Sequence, residues 1–214
     1  MDELNMNSLL NRNEIEMQLI QSLNYFEENK NNVLTKRGIY IYGSPGSGKS
    51  HFVKSVLKKL NYDIICFDAG DIRNKSVIET ITKHNMSDKN ILSMFNKVNK
   101  KIAIIMDEID GMNSGDKGGI NALIKLIRPK KTKKQKKEQI TMTPIICIGN
   151  YHIDKKIKEM MKICISIELK QPLSCQIKKI VKILMPNIDS ILSENIVNFI
   201  QGDLRKLKST YEIY

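Results

Sequence analysis

The stretch Gly43, Ser44, Pro45, Gly46, Ser47, Gly48, Lys49, Ser50 constrains this chain more than any other. It fits G-x-x-x-x-G-K-[ST], the loop that wraps the phosphates of a nucleoside triphosphate. Its flanks agree. Gly38-Ile39-Tyr40-Ile41-Tyr42 is short, aromatic and β-branched, as in a buried strand. From His51 to Leu60, Phe52, Val53, Val56, Leu57 and Leu60 recur at helical spacing. The loop therefore joins a strand to a helix. Its glycines let backbone N–H groups turn inward, and the helix N-terminus adds its positive end. Lys49 should reach the outer phosphates as a cation, and the Ser50 hydroxyl should ligate Mg²⁺. His51 completes the expected nucleotide lining.

The 214 residues and 24.6 kDa allow one α/β domain with a small appendage. A net charge of +12 favours a polyanionic partner, nucleic acid or an acidic surface. No apolar run is long enough to span a bilayer, and Met1-Asp2-Glu3-Leu4 does not read as a secretory signal. Cys66, Cys147, Cys164 and Cys175 contain no C-x-x-C pair. Three of them lie in apolar, strand-like runs and read as reduced core thiols of an intracellular protein. His51, His84 and His152 show no zinc spacing.

Residues 1–11 are polar and expected to be loose. A helix is predicted over Asn13–Asn29, then the strand, loop and helix already described. Tyr62–Ala69 reads as a second strand covered on both faces. Helical stretches follow near Lys75–Lys83 and Asp88–Asn99. Ile102–Met106 is a third strand, expected beside the loop strand, and Lys117–Ile127 is a helix. Pro144–Gly149 and Ile163–Leu169 are the fourth and fifth strands. The alternation predicts an α/β fold with a doubly wound, mostly parallel five-stranded sheet. After Pro172, Leu173–Met185, Ser190–Ile200 and Asp203–Tyr214 read as helices. The expected division is a nucleotide-binding domain over 1–171 and a helical lid over 172–214.

Three further places carry chemistry. Ile102–Met106 ends in Asp107-Glu108. In that position Asp107 should help hold Mg²⁺, and Glu108 should polarise or orient the attacking water; without the loop upstream, the pair would read as solvated acids at a strand end. The fourth strand ends in Asn150, at the sheet edge where ligands of open α/β sheets bind. Taken alone, Asn150 reads rather as the start of a turn. Gly202-Asp203-Leu204-Arg205 opens the last helix, from which Arg205 could lean onto the nucleotide. A lone arginine on a helix is more commonly just solvated. Finally, Lys130, Lys131, Lys133, Lys134, Lys136 and Lys137 form a lysine-rich run. We expect a mobile loop there, which either contacts DNA phosphates or is a solvated loop or an import signal.

The loop, Asp-Glu, strand-end Asn and Gly-Asp-Leu-Arg helix occur in the order of an AAA+ ATPase. They resemble its Walker A, Walker B, sensor 1 and sensor 2 motifs. Met106-Asp107-Glu108-Ile109-Asp110-Gly111-Met112, followed by Gly115-Asp116-Lys117-Gly118-Gly119-Ile120, is similar to the large subunits of replication factor C, the clamp loader. Asp68-Ala69-Gly70-Asp71-Ile72-Arg73-Asn74-Lys75, Pro144–Asn150 and Gln171-Pro172 continue the similarity, which covers roughly Gly38–Tyr211.

The resemblance implies ATP and Mg²⁺ as ligands, with Lys49, Glu108, Asn150 and Arg205 as the catalytic set. It implies small-subunit partners, a sliding clamp and primer–template DNA, at the nucleus or another site of replication. Small subunits carry an arginine finger in a Ser-Arg-Cys segment before the fifth strand. Here the matching place is Lys162-Ile163-Cys164, so this chain should receive a finger and give none. Three departures stand out. The 214 residues hold no collar domain, the first residues lack the usual basic, proline-containing box, and the lysine-rich insert is extra. A different AAA+ remodeller, such as a helicase loader or origin-binding ATPase, is the alternative. So is a non-catalytic nucleotide-binding scaffold.

Overall fold

A computed structural model describes residues 6–68, 70, 71, 76, 78, 100–112, 118–138, 140–151 and 155–214. The helices are α1 (Met6–Leu9), α2 (Asn13–Glu28), α3 (Lys49–Lys59), α4 (Gly119–Ile127), α5 (Lys155–Ile163), α6 (Ser174–Leu184), α7 (Ser190–Ile200) and α8 (Leu204–Ile213). The strands are β1 (Gly38–Tyr42), β2 (Tyr62–Phe67), β3 (Lys101–Met106), β4 (Ile145–Gly149) and β5 (Ile165–Glu168). The helices expected near 75–83 and 88–99 lie outside the described residues.

The five strands form one all-parallel sheet in the order β2-β3-β4-β1-β5. Side chains alternate across it, so β1, β2, β3 and β4 each feed two cores, while β5 feeds one through Ile165 and Ile167. On one face Ile39, Ile41, Ile105 and Ile146 pack with Leu19 and Leu23 of α2 and with Phe52, Val56 and Leu57 of α3. On the other, Tyr40, Ile104, Met106 and Cys147 pack with Leu123 and Ile127 of α4 and Ile157 and Met160 of α5. The result is a three-layer α/β/α domain, the doubly wound arrangement.

Several expectations need correction. The carboxylate strand β3 does not lie beside the loop strand. β4 runs between them, paired with both. Among the described residues β2 is an edge strand with β3 as its one neighbour, and most of it is half-buried. Its Cys66 is exposed and is no core thiol, while Cys147 and Cys164 are buried. Ile163 ends helix α5 rather than opening β5. Helix α5 itself is additional to what the sequence suggests.

The three C-terminal helices bury Ile177, Ile180, Val181, Ile200 and Leu207 in a separate cluster. Met6 and Leu10 belong to that cluster, so residues 6–11 are not loose. Their polar appearance hid two buried apolar anchors. Gln176 Nε2 donates to Leu10 O at 2.8 Å, and Asn7 Nδ2 donates to Glu16 Oε2 at 2.8 Å. The N-terminal segment thus bridges lid and core.

The lysine-rich insert is also held, at the amino-terminal edge of the sheet. Lys130 is fully buried, its backbone N–H donates to Val33 O at 2.8 Å, and its ammonium donates to Lys125 O. Lys130 also pairs with Glu138 at 3.0 Å, and Arg128 pairs with Glu138 at 2.6 Å. A buried lysine cannot serve as a DNA contact, so Lys130 leaves that candidate set. The absence of apolar residues in the run suggested a mobile loop. Polar anchors, Glu138 and the Thr132–Gln135 turn, hold it instead. Lys131, Lys133, Lys134 and Lys136 are exposed. The side chain of Lys137 lies outside the described residues.

Burial acts to raise the Glu138 pKa, but the facing Lys130 and Arg128 outweigh it and hold the carboxyl below its ordinary value. A depressed folded-state pKa stabilises above the unfolded value, and the stabilisation is lost as pH falls through the folded one. Glu138→Gln should therefore lower the unfolding free energy at pH 7 by about 1–2 kcal/mol, from the charged hydrogen bonds removed. Denaturant midpoints across pH should show the gap closing on acidification below the ordinary glutamate pKa of about 4.3. A gap that persists in acid would show that the pair contributes nothing through its charge.

Candidate nucleotide-binding site

The loop after β1 curls because two glycines take left-handed backbones, Gly46 at φ +74° and Gly48 at φ +82°. Only glycine adopts these without cost. Crowding adds a second reason at Gly46, where a Cβ would overlap the carboxylate of Asp203. Gly48 caps α3, so Lys49 and Ser50 occupy its first turn. The curl aims the Lys49 side chain back across its own loop.

Lys49 is buried, and its ammonium donates three hydrogen bonds, to Gly43 O at 3.0 Å, Ser44 O at 2.9 Å and Asn150 Oδ1 at 2.9 Å. Three donors meet three acceptors, which accounts for the whole group. Burial lowers the Lys49 pKa, with the nearby Asp107 and Asp110 opposing that shift and Arg205 adding to it. The Ser50 hydroxyl donates to Asp107 Oδ2 at 2.5 Å. A hydroxyl and a carboxylate are the hard oxygen donors that Mg²⁺ takes, and that ion needs few protein ligands. The residues fit the metal that the sequence implied. Among the described residues, no group of three or more His, Cys, Asp and Glu could hold a metal ion by itself.

Glu108 follows Asp107 at φ +48°, a left-handed backbone uncommon for a glutamate. Non-glycine residues in this region cluster at functional sites, at a cost of about 1–3 kcal/mol each. The twist ends β3 and starts the turn Ile109–Gly111. Glu108 is exposed on the cleft wall.

The cleft measures about 320 Å³. Pro45, Gly46, Gly48, Lys49, Ser50 and His51 line one side. Asp107, Glu108, Asn150 and Arg205 line the others. Gly43 and Ser44 contribute through the carbonyls that hold Lys49, and Ser47 is buried beneath the loop. The structure thus gathers the sequence-predicted residues of three strand ends and the lid in one place. The lysine-rich insert is not part of it.

The C-terminal helices meet the loop directly. Leu204 N donates to Gly46 O at 2.8 Å. Asp203 caps α8 by accepting from Arg205 N at 2.9 Å, and its carboxylate also takes the Arg205 guanidinium, Nη2 to Oδ2 at 2.9 Å. That pairing lowers the Asp203 pKa and raises that of Arg205.

Two residues escaped sequence reasoning. Arg12 is buried, donates to Ser47 O at 2.7 Å, and has its pKa lowered to about 10 by burial. A lone arginine in a polar stretch carries no signal of such a role. Asp110 accepts from Asn150 N at 2.6 Å. It lies two residues beyond the Asp107-Glu108 pair, where the sequence by itself carries no signal of a role.

Comparison with known proteins agrees with this geometry. Residues 39–172 match the model of the ATPase family associated with various cellular activities (AAA). Replication factor C subunit 1 of Saccharomyces cerevisiae is 28% identical over 182 residues, 80% of this chain and 20% of that protein. The Homo sapiens subunit 1 is 32% identical over 142 residues, 64% of this chain and 11% of that protein. The replication factor C large subunit of Nanoarchaeum equitans is 28% identical over 174 residues, 79% of this chain and 36% of that protein. The chain spans from about a tenth to about a third of the length of these relatives. The matched residues run from the loop strand into the start of the lid, and the chain belongs to the ATPase family associated with various cellular activities.

Proposed function

We propose that this chain binds and hydrolyses ATP as one subunit of a clamp-loader-like assembly acting on DNA during replication. One observation carries the reading: Lys49, the Ser50–Asp107 pair, Glu108 and Asn150 converge on a single cleft. Lys49 supplies the cation for the outer phosphates. Ser50 and Asp107 would hold Mg²⁺, which supplies charge neutralisation along the phosphates when bound. Glu108, exposed at the cleft, orients the attacking water and accepts its proton. Asn150 orients the water and the terminal phosphate through its amide. Arg205 couples the lid to the phosphate state, since its helix starts on the loop at Gly46.

The similarity to replication factor C large subunits supports the clamp-loader reading over other AAA+ tasks. Small subunits, a sliding clamp and primer–template DNA are then the partners. Ile163 stands where a small subunit carries its finger arginine, and it cannot donate. The site should therefore depend on a partner's arginine, and such fingers offset charge developing in the transition state.

Lys49→Ala should weaken ATP binding by about 10- to 100-fold, the worth of one or two charged hydrogen bonds. Glu108→Gln should keep binding and lower turnover by about 10²- to 10⁴-fold. A small-subunit partner should raise wild-type turnover at least about tenfold, and the gain should vanish when its finger arginine becomes alanine. Glu108→Gln turning over at the parental rate would remove the catalytic assignment. Fast turnover by the isolated chain, indifferent to any partner, would favour a self-contained ATPase.

The exposed insert lysines are candidates for phosphate binding, at the opposite sheet edge from the cleft. Replacing Lys131, Lys133, Lys134 and Lys136 together by alanine should flatten the log–log salt dependence of DNA binding. The slope should fall by about 0.9 for each phosphate no longer neutralised. An unchanged slope would assign these lysines no role on DNA.

A further inference from the structure

The Asn150 side chain reaches Lys49, but the backbone that aims it leaves the sheet just before it. The β1–β4 ladder ends at the pair Tyr42 and Gly149. The N–H of Asn150 therefore lies beyond the last ladder position and needs an acceptor of its own. Asp110 provides it, with Oδ2 at 2.6 Å from Asn150 N. The approach is built from both sides. The left-handed backbone of Glu108 turns the chain at the end of β3, and Gly111 N closes the turn by donating to Glu108 O at 3.0 Å. This turn sets Asp110 over the end of the adjacent β4. There Gly149 makes room: a Cβ on it would sit 2.6 Å from Asp110 Oδ1 and would overlap the Tyr40 hydroxyl. Oδ1 is itself shielded from solvent.

We propose that Asp110 is a positioning residue, which fixes the backbone of Asn150 so that its amide oxygen meets Lys49. The inference rests on the ATPase reading above for its kinetic consequence alone. Asp110 is not among the residues lining the cleft, so its effect runs through Asn150. A charge-assisted bond to a backbone N–H is short and strong, and it restrains the peptide plane from which the Asn150 side chain departs. The linked hydrogen bonds run from Asp110 to Asn150, from Asn150 to Lys49, and from Lys49 to the carbonyls of Gly43 and Ser44. The end of β3 and the phosphate loop are thereby tied together through the strand that separates them. Asp110 also supplies negative charge facing Lys49, second to Asp107.

The test uses Asp110→Ala, Asp110→Asn, Asn150→Ala and the double variant Asp110→Ala/Asn150→Ala. Turnover is measured with the small-subunit partner, and affinity with a non-hydrolysable ATP analogue. Asp110→Ala should lower turnover by about 10- to 100-fold, the usual consequence of a misplaced reacting geometry. Analogue affinity should change less than about threefold. Asp110→Asn, whose amide oxygen can accept the same N–H, should recover most of the activity. The double variant should be no slower than Asn150→Ala, because the two residues act as one unit. Full turnover in Asp110→Ala, additive effects in the double variant, or affinity falling in step with turnover would each overturn the proposal.

A second readout keeps the proposal separate from the ATPase reading. The Asn150 amide proton should resonate downfield in a ¹⁵N–¹H spectrum, as expected of a short bond to a carboxylate. It should move upfield in Asp110→Ala and only part of the way in Asp110→Asn. That shift is expected even from a chain that never hydrolyses ATP, and an unmoved resonance would overturn the hydrogen bond itself.

Discussion

A buried ammonium must be answered by acceptors on every side, and much of this domain is arranged to answer Lys49. Two of its acceptors are carbonyls of its own loop, which face inward only because Gly46 and Gly48 hold left-handed backbones. The third is the amide of Asn150, from a strand more than a hundred residues away in sequence. That bond requires β4 to sit beside β1. The insertion of β4 between β1 and β3 is therefore tied to the site as well as to the fold. Asp107 and Asp110, delivered by β3 on the far side of β4, offset part of the cost of burying the charge.

A second set of interactions ties the loop to the lid. Leu204 donates its N–H to Gly46, and Asp203 presses its carboxylate against the same glycine. Arg12 grips the loop from below, at Ser47 O, and reaches toward the linker at Lys170 O, 3.4 Å away. The N-terminal segment then inserts Met6 and Leu10 among the C-terminal helices. The loop thus touches the sheet, the N-terminal segment and the lid at once. The proposed coupling of nucleotide state to the C-terminal helices would run through these contacts.

Much of this was legible in the sequence because it depends on local chemistry. The loop motif needs its glycines at fixed spacing, and β1, β4 and residues Ile102–Met106 of β3 carry no charged residue to interrupt the run. The acids at the end of β3 and the asparagine at the end of β4 follow from strand ends meeting at one sheet edge. What stayed hidden depends on tertiary pairing. Nothing local says that β4 lies between β1 and β3. Arg12 and Lys130 are cations whose burial is decided by distant carbonyls and by Glu138. Helix α5 did leave a trace in the spacing of Ile157, Met160 and Ile163, masked by its lysine-rich exposed face. Asp110 was readable only as part of a motif. Its task appears once Gly149 is seen to lack the side chain that would exclude it.

In the proposed function, Ser50 and Asp107 form the metal half of a nucleotide site whose other half is Lys49. Calorimetric titration of ATP into the wild-type chain and into Asp107→Asn, with Mg²⁺ present and with it chelated, separates the two halves. Mg²⁺ should tighten wild-type binding at least about tenfold, a coupling of roughly 1.4 kcal/mol. Asp107→Asn should lose most of that gain while the two chains bind alike in chelator. An equal Mg²⁺ gain in both chains would remove Ser50 and Asp107 from the metal.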